Sequence, residues 1–146
     1  MAHEFHHRRR IEFADTDTAG IAHFSRFFCF AEEAEHAFLR SLGWSVHQRR
    51  EGYVIGFPRL ATRFEFQSSV VFEDEIDIHL WVRRRGTKTL TYQFSVTKDG
   101  RAVAKGEFTV ICCRCYPGGR IEGIPLPEEL AARIEEAPYP PLEFGP

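Results

Sequence analysis

The sequence predicts an α+β domain in which one long amphipathic helix precedes an antiparallel meander of strands. Three observations predict it. From Phe24 to Leu42, apolar residues recur at the spacing of a single helix face. Several later stretches alternate apolar and polar residues with period two. Between two of them stands Asp99-Gly100, a residue pair suited to a tight hairpin. A chain of 146 residues is long enough for one domain with a real core and short for two, so residues 1–146 read as a single domain.

The elements follow in order. Residues from about Arg8 to Phe13 read as a first strand. In the helix, Phe27, Phe30, Ala31, Ala34, Phe38 and Leu42 form the apolar stripe, while Glu32, Glu33, His36 and Arg40 fall away from it. Ser25 suits its start and Gly43 its end. Trp44 to Gly52 reads as a linker, and Leu60–Phe66 alternates as a strand. Ile76, Ile78, Leu80 and Val82 then share one strand face, and Leu90, Tyr92, Phe94 and Val96 another; Arg85-Gly86-Thr87 turns between them, and Asp99-Gly100 leads to a further strand from about Arg101 to Cys113. Pro127 opens a short terminal helix over about residues 127–136, and residues 137–146 form an extended tail.

Composition narrows the function. With 43% hydrophobic residues the chain can build a core, and 19 basic against 21 acidic side chains supply no general positive field for nucleic acid. No apolar run approaches the length of a membrane span, and the first ten residues lack a signal-peptide core, so the expectation is a soluble cytoplasmic protein with no membrane partner. Cys29, Cys112, Cys113 and Cys115 lack the paired spacing of a zinc knuckle and read as reduced thiols. His3, His6 and His7 read as solvated residues of a flexible basic start, with His6 and His7 otherwise on the first strand. No metal is expected. One helix covers one face of such a sheet, so the other face and the edges call for a partner subunit, and Trp81 on the polar face of its strand would profit from one.

The residues that look most like chemistry are Asp15-Thr16-Asp17-Thr18-Ala19-Gly20-Ile21, at the junction of the first strand and the helix. A carboxylate there lies close to N–H groups that the first helical turn leaves unpaired, an arrangement suited to acyl transfer or hydrolysis. The run Ile11–Ile21 followed by an aromatic helix carrying Glu32 resembles the 4-hydroxybenzoyl-CoA thioesterase family of hotdog-fold proteins, over about residues 8–115. The resemblance implies a curved antiparallel sheet of about five strands wrapped around a long central helix. It also implies subunits that join their sheets side by side, as a homodimer or a tetramer built as a dimer of dimers, with active sites at the interface.

The resemblance gives the catalytic carboxylate to Asp17 and leaves Asp15 to hold the turn. Asp17 would act either as nucleophile, through a mixed anhydride, or as general base toward water, with the amide of Phe24 among the oxyanion donors. A large branch of similar proteins has histidine seven residues after the aspartate. Here that position is Phe24, with His23 one place earlier, which is closer to branches acting on aromatic acyl-CoA. His23 would either contact substrate or pack and hydrogen-bond at the helix start. Phe57 and Pro58 are candidate substrate neighbours. In the basic run Arg83–Thr89, Arg85, Lys88 and Thr89 either engage the phosphates of CoA or form a solvated turn.

The sequence thus points to an acyl-CoA thioesterase acting on an aromatic or medium-sized acyl group and needing no cofactor. The alternatives are a thioesterase for acyl groups on a carrier protein and a non-catalytic hotdog module that binds acyl-CoA.

Overall fold

In the computed structural model, which describes residues 1–146, the chain starts in a strand. β1 spans Glu4–Arg10, earlier than the sequence suggests, and it takes His6 and His7 out of any flexible segment. Its alternation is carried by charged and imidazole side chains. Phe5, His7 and Arg9 turn inward, where Phe5 meets Phe38 and the Arg9 guanidinium lies 4.4 Å from the Phe30 ring centre. Asp15 helps to end the strand early: its carboxylate accepts the Glu12 N–H at 2.8 Å, and Phe13–Asp15 closes into a 3-10 turn.

The helix α1 spans Arg26–Ser41 and buries Phe27, Phe30, Ala31, Ala34 and Phe38 as the periodicity predicts, together with Glu35 and Leu39. Ser25 occupies the capping position without a side-chain cap bond. Gly43 follows the helix at φ +75°, the left-handed conformation that lets a chain leave a helix.

Around α1 curves a five-stranded antiparallel sheet. Its further strands are β4 (Arg59–Phe66), β5 (Glu75–Arg85), β6 (Thr89–Lys98) and β7 (Arg101–Ile111), in the order β1-β5-β6-β7-β4. The predicted meander is β5-β6-β7. At its second turn Asp99 and Gly100 both have positive φ, 48° and 79°, the twist a two-residue hairpin requires. Ile76, Ile78, Leu80, Val82, Leu90, Tyr92, Phe94 and Val110 are fully or almost fully buried in the core with α1. Gly106 on β7 is where the Phe64 ring lies flat on the sheet: a Cβ there would come within 2.6 Å of it.

A second, small sheet was not legible. The segment read as a linker holds β2 (Gln48–Arg50), which pairs with β3 (Tyr53–Gly56). The long last strand stops at Ile111; after the buried Cys112, β8 (Cys113–Cys115) crosses to β3 and β9 (Ile121–Gly123) pairs with β8. Strands of three or four residues are too short for a period of two to register. Cys112 is fully buried, a core residue, and burial pushes its thiol up to about 12.

The C-terminal helix is shorter than expected. α2 covers only Glu128–Ala131, with Pro127 at its capping position. The chain leaves it because residues 133–135 pair with the N-terminus: the Ala2 N–H donates to Arg133 O, and the Glu135 N–H to Ala2 O. The tail beyond is extended, as predicted, and crosses the outer face of the sheet from edge to edge. The Tyr139 hydroxyl donates to Glu4 on β1, and its ring stands edge-on to Trp81 on β5. The Leu142 N–H donates to Gln93 on β6, Lys105 on β7 to the Glu143 carbonyl, and the Gly145 N–H to Glu65 on β4. Trp81 is therefore only 6% exposed, covered by its own chain and not awaiting a partner. No helix is long and apolar enough to cross a membrane.

Candidate active site

The two acids of the strand-to-helix junction have unlike surroundings. Asp15 is 1% exposed. One carboxylate oxygen accepts from Arg26 Nε at 2.7 Å, and the other accepts from the Glu12 N–H and from Arg9. Its carbonyl takes the His23 N–H at 2.7 Å. Burial works against ionisation, but the Glu12 N–H and the two guanidiniums prevail and hold Asp15 below the usual carboxylate range. Such an acid fastens β1 and the start of α1 together, with both of its oxygens engaged.

Asp17 is freer. Its Oδ1 accepts the Ala19 N–H at 2.8 Å, and Gly20, at φ +80°, closes the turn by donating to the Asp17 carbonyl. The other carboxylate oxygen accepts no hydrogen bond within the chain. Asp17 lines an open cleft of about 460 Å³ with Ile21, Ala22, Phe24, Phe27 and the segment Phe66–Val70. The Phe24 N–H, just before α1, donates to nothing within the chain. Asp17 and Phe24, the two residues that the sequence singles out, therefore line the same cleft.

His23 does not line it. Its Nδ1 lies 2.8 Å from the Ser25 hydroxyl and accepts the Ser25 N–H at 3.3 Å, so it satisfies the turn into the helix. By occupying the Ser25 amide it leaves that of Phe24 as the open donor. Gln67, Ser68 and Ser69 are cleft residues that sequence reasoning missed. They follow β4 in a short polar link with no motif or period to mark them.

The remaining predicted residues lie away from this cleft. Phe57 is buried, and the Pro58 carbonyl accepts from Ile111. Lys88 and Thr89 sit at the β5–β6 turn, where the Lys88 carbonyl accepts from Cys112 and Thr89 opens β6. Arg85 is engaged: its guanidinium donates to the carbonyls of Ala131 and Ile134 at 2.5 and 2.8 Å, fastening the end of the chain.

A second cleft of about 350 Å³ opens between α1 and β4, lined by Phe28, Cys29, Glu32, Arg59, Thr62 and Phe108. Arg59 donates to both oxygens of Glu35, at 2.8 and 2.7 Å, and to Glu32 at 3.0 Å. Glu35 is fully buried, and burial, outweighing Arg59, pushes it up to about 7. It could have been found in the sequence, since it lies four residues after Ala31 and three before Phe38 on the apolar stripe.

Comparison with known proteins bears on the family and the fold. The profile of the thioesterase-like superfamily matches residues 11–134. A protein of Aquifex aeolicus (strain VF5) named "Putative esterase" is 33% identical over 121 residues, covering 83% of this chain and 91% of that protein. A 1,4-dihydroxy-2-naphthoyl-CoA hydrolase of Thermosynechococcus vestitus is 24% identical, covering 90% of this chain and 89% of its own. The solved structure of 4-hydroxybenzoyl-CoA thioesterase from Pseudomonas sp. strain CBS-3 shares the fold, with a TM-score of 0.77 at 20% identity, covering 90% of this chain and 99% of its own.

Proposed function

This chain belongs to the thioesterase-like superfamily and is a hotdog-fold thioester hydrolase, and from that premise we propose that it hydrolyses an aromatic acyl-CoA at the cleft holding Asp17 and Phe24. The observation that carries the reading is that Asp17 and Phe24 line one cleft while an Asp17 carboxylate oxygen and the Phe24 N–H make no hydrogen bond within the chain. With the thioester carbonyl oxygen at the Phe24 amide, negative charge developing there meets a fixed donor at the start of α1. Asp17 then works in one of two ways. As nucleophile it adds to the carbonyl carbon, the C–S bond breaks, CoA leaves as thiolate, and water cleaves the resulting anhydride to restore the carboxylate. As general base it takes a proton from the water that adds directly. Either route consumes one water and yields the acid and the thiol, with no metal or redox cofactor.

The aromatic preference rests on Phe24, Phe27 and Phe66, which line the cleft, on the naphthoyl-CoA hydrolase among the relatives, and on phenylalanine in place of histidine at position 24. This is the reading nearest to the 4-hydroxybenzoyl-CoA thioesterases. The cleft is open, and Lys88 and Thr89 lie outside it, which favours a site completed by a second copy. The unpaired edge of β4, with Leu60 59% exposed, offers the strand for joining two sheets. In that arrangement Lys88 and Thr89 of one copy would hold the phosphates of CoA bound at the other.

Two measurements check this. In a thiol-release assay over a panel of acyl-CoAs, aryl esters are expected to exceed straight-chain esters in kcat/KM by about tenfold or more; preference for a long straight chain would refute the substrate class. Lys88→Ala should raise KM for CoA esters and leave that for the matching pantetheine esters unchanged. Equal effects on both would remove Lys88 from the nucleotide site.

A further inference from the structure

On the outer face of the sheet, at the edge opposite β4, the strand register brings together residues that the sequence keeps far apart. His6 on β1 pairs directly with His79 on β5, and Glu4 stands two residues along the same face. We propose that Glu4, His6 and His79 form a binding site for a divalent first-row transition metal of the zinc type. The site is independent of the hydrolytic reading.

Three features support it. Both imidazoles present Nε2 to the same carboxylate, His6 at 3.9 Å from one oxygen and His79 at 3.7 Å from the other, and the ligand atoms of all three residues lie within 4.8 Å of one another. Tetrahedral zinc, with bonds of about 2.0–2.2 Å, separates neighbouring ligand atoms by roughly 3.3 Å, so each imidazole needs to approach the carboxylate by only about half an ångström, and the two imidazole nitrogens start no more than 4.8 Å apart. His79 Nε2 is buried and has no hydrogen-bond partner, so a metal there would supply its missing contact. The Tyr139 hydroxyl, brought in by the tail, donates to Glu4, and an outer hydrogen bond of this kind orients a ligating carboxylate.

Two imidazoles and one carboxylate suit zinc or its neighbours better than calcium or magnesium, which take oxygen. A fourth position remains for water, with His3 close by, 3.4 Å from Glu4. The rings of His6 and His79 are stacked at 4.2 Å with 6° between their planes, and coordination would tilt them apart. His7 takes no part, since it lies on the inner face near Glu33.

The test is calorimetric titration of the whole chain with zinc chloride, followed by the absorption spectrum with cobalt(II). One metal per chain is expected, with His6→Gln and His79→Gln each weakening binding at least tenfold. The cobalt spectrum should show nitrogen and oxygen ligation without a thiolate charge-transfer band. His79→Gln separates this site from chelation by the N-terminal histidines alone, and the cobalt spectrum reports on the wild type should a variant fold poorly. Absence of binding, zinc affinity unchanged by His79→Gln, or a thiolate band would overturn the proposal.

Discussion

Asp17→Asn is expected to lower kcat for the preferred acyl-CoA by about 10²–10⁴-fold while leaving the fold intact. The substitution is selective because the two oxygens of Asp17 have separate tasks. Oδ1 accepts the Ala19 N–H and shapes the turn, and the amide oxygen of asparagine can do the same. The other oxygen accepts no hydrogen bond within the chain, and at that position an amide can neither attack a thioester nor remove a proton from water. Steady-state kinetics beside a thermal melt checks both halves. A large loss of kcat with little change in Tm agrees with the proposal, and unchanged kcat removes Asp17 from the chemistry.

The second large effect is on stability. Arg59→Met should destabilise the chain by about 3–5 kcal/mol at pH 8, because it leaves Glu35 buried without its cation. The pH dependence has a definite sign. Burial raises Glu35 from 4.5 to about 7 in the folded chain, so between those values the folded state holds the extra proton. The contribution of Glu35 to stability therefore falls as pH rises through that window and levels off above it. Without the opposing pull of Arg59 the carboxyl would be raised further, so the deficit of Arg59→Met should be larger at pH 8 than at pH 5, where Glu35 is protonated in both proteins. Urea denaturation at the two pH values measures this. A deficit independent of pH would mean that the packing of Arg59 over Phe108, with a ring-centre distance of 5.1 Å, matters more than its charge.

Much of the fold was legible because its largest elements follow a simple period. The stripe Phe27–Phe38 and the alternation along β5 and β6 state their buried faces directly, and Asp99-Gly100 states the hairpin. β1 was misplaced because its period of two is written in Glu, His and Arg, whose partners, such as Glu75 for Arg8 and Glu33 for Arg9, come from distant parts of the chain. The path of the tail was hidden for a similar reason. Tyr139 meets β1 and β5, Leu142 meets β6, Glu143 meets β7 and Gly145 meets β4, and no local pattern records five separate contacts.

At the site, Asp17 and Phe24 were legible from one contiguous run, since a strand-to-helix turn keeps its parts close in sequence. Gln67 and Ser69 reach the cleft only through the path of β4. Arg85 shows what a local cluster leaves out: its place in a basic run suggested phosphate, and the fold adds a contact of one guanidinium nitrogen with two carbonyls of the same chain.

The central claim, that the thioester lies between Asp17 and the Phe24 amide, is tested most directly by a crystal structure of Asp17→Asn with an uncleaved aryl-CoA. The predicted result is a thioester carbonyl oxygen about 3 Å from the Phe24 nitrogen, with its carbon facing the side chain at position 17. A thioester seated instead beside Glu32 and Arg59, in the cleft between α1 and β4, would contradict it.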